Sequence, residues 1–267
     1  MNFGKKLKKI LLALLLFLLF PLLGAVLFFG KNLTANAFHQ NALKNVKFTT
    51  NGKITSKWLM ETLAMEKNVN LFSLDIAALE RNLKSVSQIK KVFLEKRYPD
   101  SLFIQIEERI PILKIMVKVN EEKKVFLVDG TDGKVFAPIC YAAEDLENIL
   151  PADMVLRLAD RKKLQFFSQQ KMAAIKELIE TLKNDFREIF NSIKFVDLKN
   201  YDERPGAVWS RIELHLKNGI VVVLGLEKFT FQLLRLEYLL DVKCVNNLHR
   251  IKKIDVSSLN DAVIEYM

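Results

Sequence analysis

Cysteine and histidine are scarce in this chain, with two of the first and three of the second among 267 residues. Cys140 and Cys244 lie far apart, with no C-X-X-C spacing and no accompanying histidine pattern, which excludes the usual zinc and redox motifs. His39, His215 and His249 are isolated and suit solvated or structural roles. The sequence also lacks G-X-S-X-G, a phosphate-cradling glycine loop and H-E-X-X-H. Its acids are spread as surface charge, so a carboxylate pair assembled only in space is the catalytic device left open. No block of five or more like charges occurs beyond residue 10, and no basic stripe is interleaved with aromatics, which argues against nucleic acid as a partner.

What is present starts with apolar material. Half of the residues are hydrophobic and 10% are aromatic, enough to build one or two modest cores. The net charge is +10, and setting aside Lys5, Lys6, Lys8 and Lys9 leaves about +6 for the remainder. Those four lysines precede Ile10 to Phe29, a run without a charged or polar side chain. As a helix it matches the roughly 30 Å hydrocarbon core of a bilayer, and Pro21 and Gly24 are tolerated there. With Lys31 the lone cation close behind it, the charge balance puts Met1 in the cytoplasm and the bulk of the chain outside. A cleaved signal peptide is the competing reading, because Ala35-Asn36-Ala37 fits a cleavage site. The apolar run is longer than the roughly 7–15 residues of a signal-peptide core, which favours an uncleaved anchor. Export leaves two readings for Cys140 and Cys244, buried thiols or a disulfide.

The polar stretch 30–44 reads as a tether. Val46 to Thr50 predicts a strand ended by the Asn51-Gly52 turn. Thr55 or Ser56 can cap a helix carrying Trp58, Leu59 and Leu63 that stops near Asn68. Asp75 can cap a second helix with Ile76, Leu79, Leu83 and Val86 on one stripe. In KVFLEKRYPDSLFIQIEERIP, period two puts Val92, Leu94, Leu102, Ile104 and Ile106 on one face and Phe93, Phe103 and Gln105 on the other. Pro99 and Asp100 suit the turn, and Pro111 marks a strand end or an edge. The resulting order is strand, helix, helix, strand, strand.

KVFLVDGTDGKVFAP predicts another hairpin. Its Asp129 to Gly133 turn resembles a calcium loop only superficially, because Cys140 stands where an EF-hand needs glutamate. A helical stretch over about 160–190 carries the stripe Ile175, Leu178, Leu182, Phe186 and Ile189. Strands follow at Ile193 to Leu198 and at VWSRIELHL, where Ile212, Leu214 and Leu216 alternate with polar neighbours, then an Asn218-Gly219 turn into IVVVLG. Phe229 to Asp241 reads as a helix, and Ile251 to Ser257 and Ala262 to Tyr266 as closing strands. The fold class is α+β, a small β-α-α-β-β unit followed by a mixed α/β domain with an extended antiparallel sheet.

In this order RYPDSLFIQIEERIP, VFLVDGTDGKVF, IELHLKNGIVVVLG and IDVSSLNDAVIEY, behind a lysine-flanked apolar run, resemble the bacterial cell-division family FtsQ/DivIB. The resemblance covers nearly all of the chain after the run. It implies a cytoplasmic tail at 1–9, a transmembrane helix at 10–29, a tether at 30–44, a POTRA domain at 45–117 and a β domain at 118–267. It further implies a non-enzymatic, cofactor-free divisome scaffold at the septum. Such a scaffold binds the bitopic proteins FtsB and FtsL and other divisome membrane proteins, and helps regulate septal peptidoglycan synthesis. The implied partner-binding residues are Ile254, Val256, Ser258, Ala262, Val263, Ile264 and Tyr266 on a terminal edge used for β-augmentation, with Arg97, Tyr98 and Arg109 on the POTRA surface. Ser257, Ser258 and Asp261 depart from the arginine, aromatic and glycine that the family shows near that edge. A POTRA-containing envelope assembly or transport factor, the alternative, would need further POTRA repeats or amphipathic membrane strands.

Overall fold

A computed structural model describes residues 42–63, 69–119, 122–153, 169–201, 210–243, 250–258 and 260–267. The apolar run, most of the tether and Cys244 lie outside them. Among the described residues no helix is long and apolar enough to cross a membrane. The chain divides into two compact units, the first from residues up to Thr49, Leu59–Leu83 and Val92–Ile106, the second from Thr50–Trp58, Lys84–Lys91 and Glu107–Met267.

The first unit is built around a sheet of β1 (Asn45–Thr50), β2 (Ile89–Arg97) and β3 (Ser101–Glu108) in the order β1-β3-β2. Between β1 and β2 run α1 (Ser56–Leu63) and α2 (Ile76–Lys84). Each helix starts at the expected cap. The Trp58 N–H donates to Thr55 Oγ1 at 3.2 Å, and the Ala78 N–H to Asp75 Oδ1 at 2.9 Å, satisfying donors that lack an intrahelical partner. Leu59, Leu71, Leu79, Leu83, Leu102, Ile104 and Ile106 are buried, whereas Phe93 and Gln105 face out, as alternation along the hairpin requires. The Tyr98–Pro99 peptide bond in the hairpin turn is cis.

The second unit contains β4 (Pro111–Val119), β5 (Glu122–Asp129), β6 (Val135–Phe136), α3 (Ala143–Glu147) and β7 (Leu150–Asp153). After residue 168 follow α4 (Gln169–Asp185), α5 (Arg187–Ser192), β8 (Ile193–Asp197), β9 (Ile212–Leu216) and β10 (Val221–Leu224). The chain closes with α6 (Phe229–Tyr238), a short π-helix (Leu239–Lys243), β11 (Ile251–Asp255) and β12 (Val263–Tyr266). The strands form one mixed sheet of nine in the order β12-β11-β10-β9-β8-β7-β4-β5-β6, not the antiparallel sheet expected, because β4–β7, β7–β8 and β10–β11 pair parallel across helical or long connections. Ile175, Leu178 and Leu182 of α4 and Leu233 and Leu236 of α6 pack with Leu214, Val222 and Ile254 of the sheet in one apolar cluster.

Two boundaries differ from the sequence expectation. The predicted domain border at 117 falls inside β4, which pairs with β5 and β7 of the larger sheet. Pro111 opens that strand, where a missing N–H is tolerated. The helix expected across 160–190 is interrupted at Phe186, whose φ of −126° and ψ of 53° are not helical. Phe186 and Ile189 are buried all the same, so the apolar stripe survives the break.

Candidate functional site

The last strand is the exposed edge. Within the described residues β12 pairs with β11 alone, antiparallel, with Ile254 opposite Ile264 and Asp255 opposite Val263. β11 in turn runs parallel to β10, with Val222 opposite Ile254. The Met267 N–H donates to Arg250 O at 2.8 Å, on the β11 side. Alternation along an extended strand then turns the N–H groups of Ile264 and Tyr266 toward the open edge. Ala262 and Ile264 lean against the core, while Val263 is 66% and Tyr266 58% exposed. The edge thus offers unpaired backbone groups with apolar side chains beside them, the arrangement that accepts an added strand.

The structure corrects part of the expected residue set. Ile254 and Val256 are fully buried, Ile254 between its two neighbouring strands, so their side chains belong to the core and cannot touch a partner. Ser258 shapes the turn, its Oγ accepting from the N–H groups of Asn260 and Asp261 at 3.4 and 3.5 Å. Its carbonyl and that of Asp261 accept hydrogen bonds from Arg235 Nη1 at 2.8 and 2.9 Å, so an arginine on α6 holds the connection between β11 and β12. Ser257, one of the residues that departs from the family pattern, has its own role there. Its N–H and Oγ donate to Asp255 Oδ1 at 3.0 and 2.5 Å and fix the exit from β11. Sequence reading missed Arg235, because nothing in the leucine-rich run around it signals a contact across 26 residues.

Arg109 is the second correction. It is buried, and its Nη1 donates to Asp129 Oδ2 at 2.9 Å and to Asp132 Oδ2 at 2.8 Å, while its Nε donates to Ser87 O at 3.0 Å. It is therefore an internal strut, out of reach of a partner. The same contacts account for the aspartates of the D-G-T-D-G turn. Asp129 Oδ1 also accepts from the N–H and Oγ1 of Thr131, and Asp132 Oδ1 from the Lys134 N–H. Burial works against ionisation of Asp132, but the Lys134 N–H and the Arg109 guanidinium outweigh it and hold its carboxyl below the usual range.

Next to Arg109 stands Glu108, whose carboxylate is buried with four donors: Thr50 Oγ1 at 2.5 Å and the Ile54 N–H at 2.9 Å on Oε1, and the Lys53 N–H at 3.0 Å and Gln88 Nε2 at 2.6 Å on Oε2. Gly52 is required here because a Cβ at that position would lie 2.3 Å from Glu108 Cδ. Beside this cluster a cleft of about 250 Å³ is lined by Lys53, Glu108, Tyr141 and Asp145 among others. Its charged groups already have partners, Lys53 Nζ lying 2.6 Å from Asp145 Oδ1 and Glu108 held by its four donors.

The Tyr141 hydroxyl in that cleft is pushed up to about 12, first by burial and then by the charges of Glu108 and Asp145. A raised folded-state value means that the unfolded chain loses this proton first. The contribution to stability is whole below about pH 10, the ordinary tyrosine value, and is lost as pH climbs toward about 12. Absorbance titration at 295 nm should show a late tyrosinate that Tyr141→Phe removes; a spectrum unchanged by the substitution would refute the assignment.

In the first unit, Arg97 Nη2 lies 2.8 Å from Glu95 Oε2, with the guanidinium 4.4 Å above the Phe103 ring. Tyr98 at the hairpin tip is 56% exposed and stacks against Phe72, ring centroids 4.7 Å apart.

Residues 41–109 match the family model described as POTRA domain, FtsQ-type. The cell division protein FtsQ of Rickettsia typhi is 26% identical over 122 residues, covering 43% of this chain and 44% of that protein. The same identity and coverage hold for the cell division protein FtsQ of Rickettsia prowazekii, and the Rickettsia bellii protein of that name is 28% identical over 87 residues, 33% of this chain and 31% of that protein. The chain therefore spans less than half the length of the curated relatives it matches. The matched POTRA segment and these relatives support the FtsQ/DivIB family for this chain, at modest identity, with a POTRA domain of the FtsQ type over residues 41–109.

Proposed function

We propose that the chain is a membrane-anchored, non-enzymatic scaffold of the division machinery, held through residues 10–29 with its folded units outside the cytoplasm and acting at the septum. Its partners are bitopic division proteins, FtsB and FtsL foremost, and through them it influences septal peptidoglycan synthesis. The observation that carries the reading is the open β12 edge, with the N–H groups of Ile264 and Tyr266 turned outward and Val263 and Tyr266 exposed beside them. A partner strand laid on this edge gains main-chain hydrogen bonds, and the exposed side chains set its register.

The test is capture of the extracytoplasmic segments of FtsB and FtsL by the full chain in nanodiscs. Ile264→Pro removes a donor facing the partner without touching the β11 ladder, so binding should fall while circular dichroism stays unchanged. Replacing Val263 and Tyr266 by aspartate should weaken capture too. Undiminished binding by all of these variants would move the interface elsewhere.

A further inference from the structure

We propose that the Phe72–Tyr98 end of the first unit is a lipid-binding surface that rests on the headgroup layer of the membrane; the inference depends on the anchored reading above. Phe72 is 62% and Tyr98 56% exposed, with their ring centroids 4.7 Å apart. Two exposed rings side by side form a small apolar patch that another surface can cover. Phe72 is held outward by a built turn. Its N–H donates to Asn70 Oδ1 at 2.8 Å, Ser73 Oγ donates to Asn70 O at 3.0 Å, and Lys96 Nζ donates to Phe72 O at 3.1 Å.

The position of the pair selects lipid as its partner. The first described residues are tied to the two turns that carry these rings: the Leu43 N–H donates to Val69 O at 2.8 Å, the Lys44 N–H to Asp100 O at 2.9 Å, and Ala42 bridges Asn70. The polypeptide therefore enters the first unit at its aromatic end. Upstream, the apolar run ends at Phe29, and residues 30–41 reach at most about 40 Å even when fully extended. The tether thus attaches at the end that presents Phe72 and Tyr98 and keeps that end within about 40 Å of the bilayer. Tyrosine prefers the headgroup layer, where the ring is buried and the hydroxyl stays wet. Lys44 adds an exposed cation at this end and Lys96, whose ammonium donates to Phe72 O, a second cation, whereas the charge of Arg97 is balanced by Glu95. The contact is accordingly led by the rings, takes zwitterionic as well as anionic phospholipid, and persists in high salt.

The test uses the full chain in nanodiscs of phosphatidylethanolamine and phosphatidylglycerol, with Trp58→Phe and Trp209→Phe to remove background emission. Phe72→Trp is the reporter, and Arg81→Trp, exposed toward the far end of α2 in the same unit, is the control. Lipid brominated just below the headgroup should remove most of the Phe72→Trp emission and leave the control bright. Adding Tyr98→Asp to the reporter should restore its emission to the control level. Equal quenching at the two positions in chains that resist an alkaline wash would overturn the proposal while leaving the anchor intact, and a partner protein would then be the better occupant of the tip. Loss of the chain from the lipid in that wash would overturn both the anchor and the inference built on it.

Discussion

Glu108→Ala is expected to lower the stability of the second unit by about 3–5 kcal/mol, because it strands several donors at once, those of Ile54 and Gln88 buried. Thr50 Oγ1, Gln88 Nε2 and the N–H groups of Lys53 and Ile54 all converge on this one carboxylate. In a protein of this size that corresponds to roughly a 10 °C fall in the melting midpoint. Glu108→Gln should recover little of the loss. Each oxygen accepts two hydrogen bonds, so an amide nitrogen in either place would face two donors. Glu107, its chain neighbour, points outward to Lys90 and Lys91 at 3.4 and 3.0 Å. Glu107→Ala should leave the midpoint nearly unchanged. Similar melting curves for the two alanine variants would remove Glu108 from its role as the hub.

Arg109→Ala is expected to cost a comparable amount, about 3–5 kcal/mol, since it leaves the carboxylate of Asp129 buried without its cation. Lysine should be a poor substitute. Arg109 reaches Asp129 and Asp132 through Nη1 and Ser87 O through Nε, a spread that one ammonium cannot reproduce. Removing both charges, as Arg109→Met with Asp129→Asn, should cost clearly less than the two single changes added together. Additive losses in urea unfolding would mean that the pair does not act as a unit.

These two residues show how much was legible in advance. Glu108-Arg109-X-Pro111 and the Val128-Asp129 to Phe136 hairpin stand out as motifs, yet nothing in the order of residues says that one holds the other. The separation is 20 residues from Arg109 to Asp129 and 58 from Glu108 to Thr50. Side-chain chemistry across such distances is fixed by topology, which local periodicity does not encode. For the same reason Arg109 looked like a surface residue and is a strut. Gln88, whose amide joins Glu108 to the backbone of Ile139, carried no sequence signal at all.

The chain by itself determined its elements, because capping, turn chemistry and hydrophobic period act within a few residues. Thr55 and Asp75 start the helices where expected, Gly219 takes the positive φ that its turn requires, and the alternation in β3 and β9 separates buried from outward residues. Tertiary structure decided what those elements are for. Strand order leaves β12 at the edge and puts β11 inside, which turns Ile254 and Val256 into core while Val263 and Tyr266 stay exposed. It brings Arg235 of α6 to the carbonyls that shape that edge. Strand order and long-range side-chain contacts are set by how the apolar faces share one core, and that sum is taken over the whole chain.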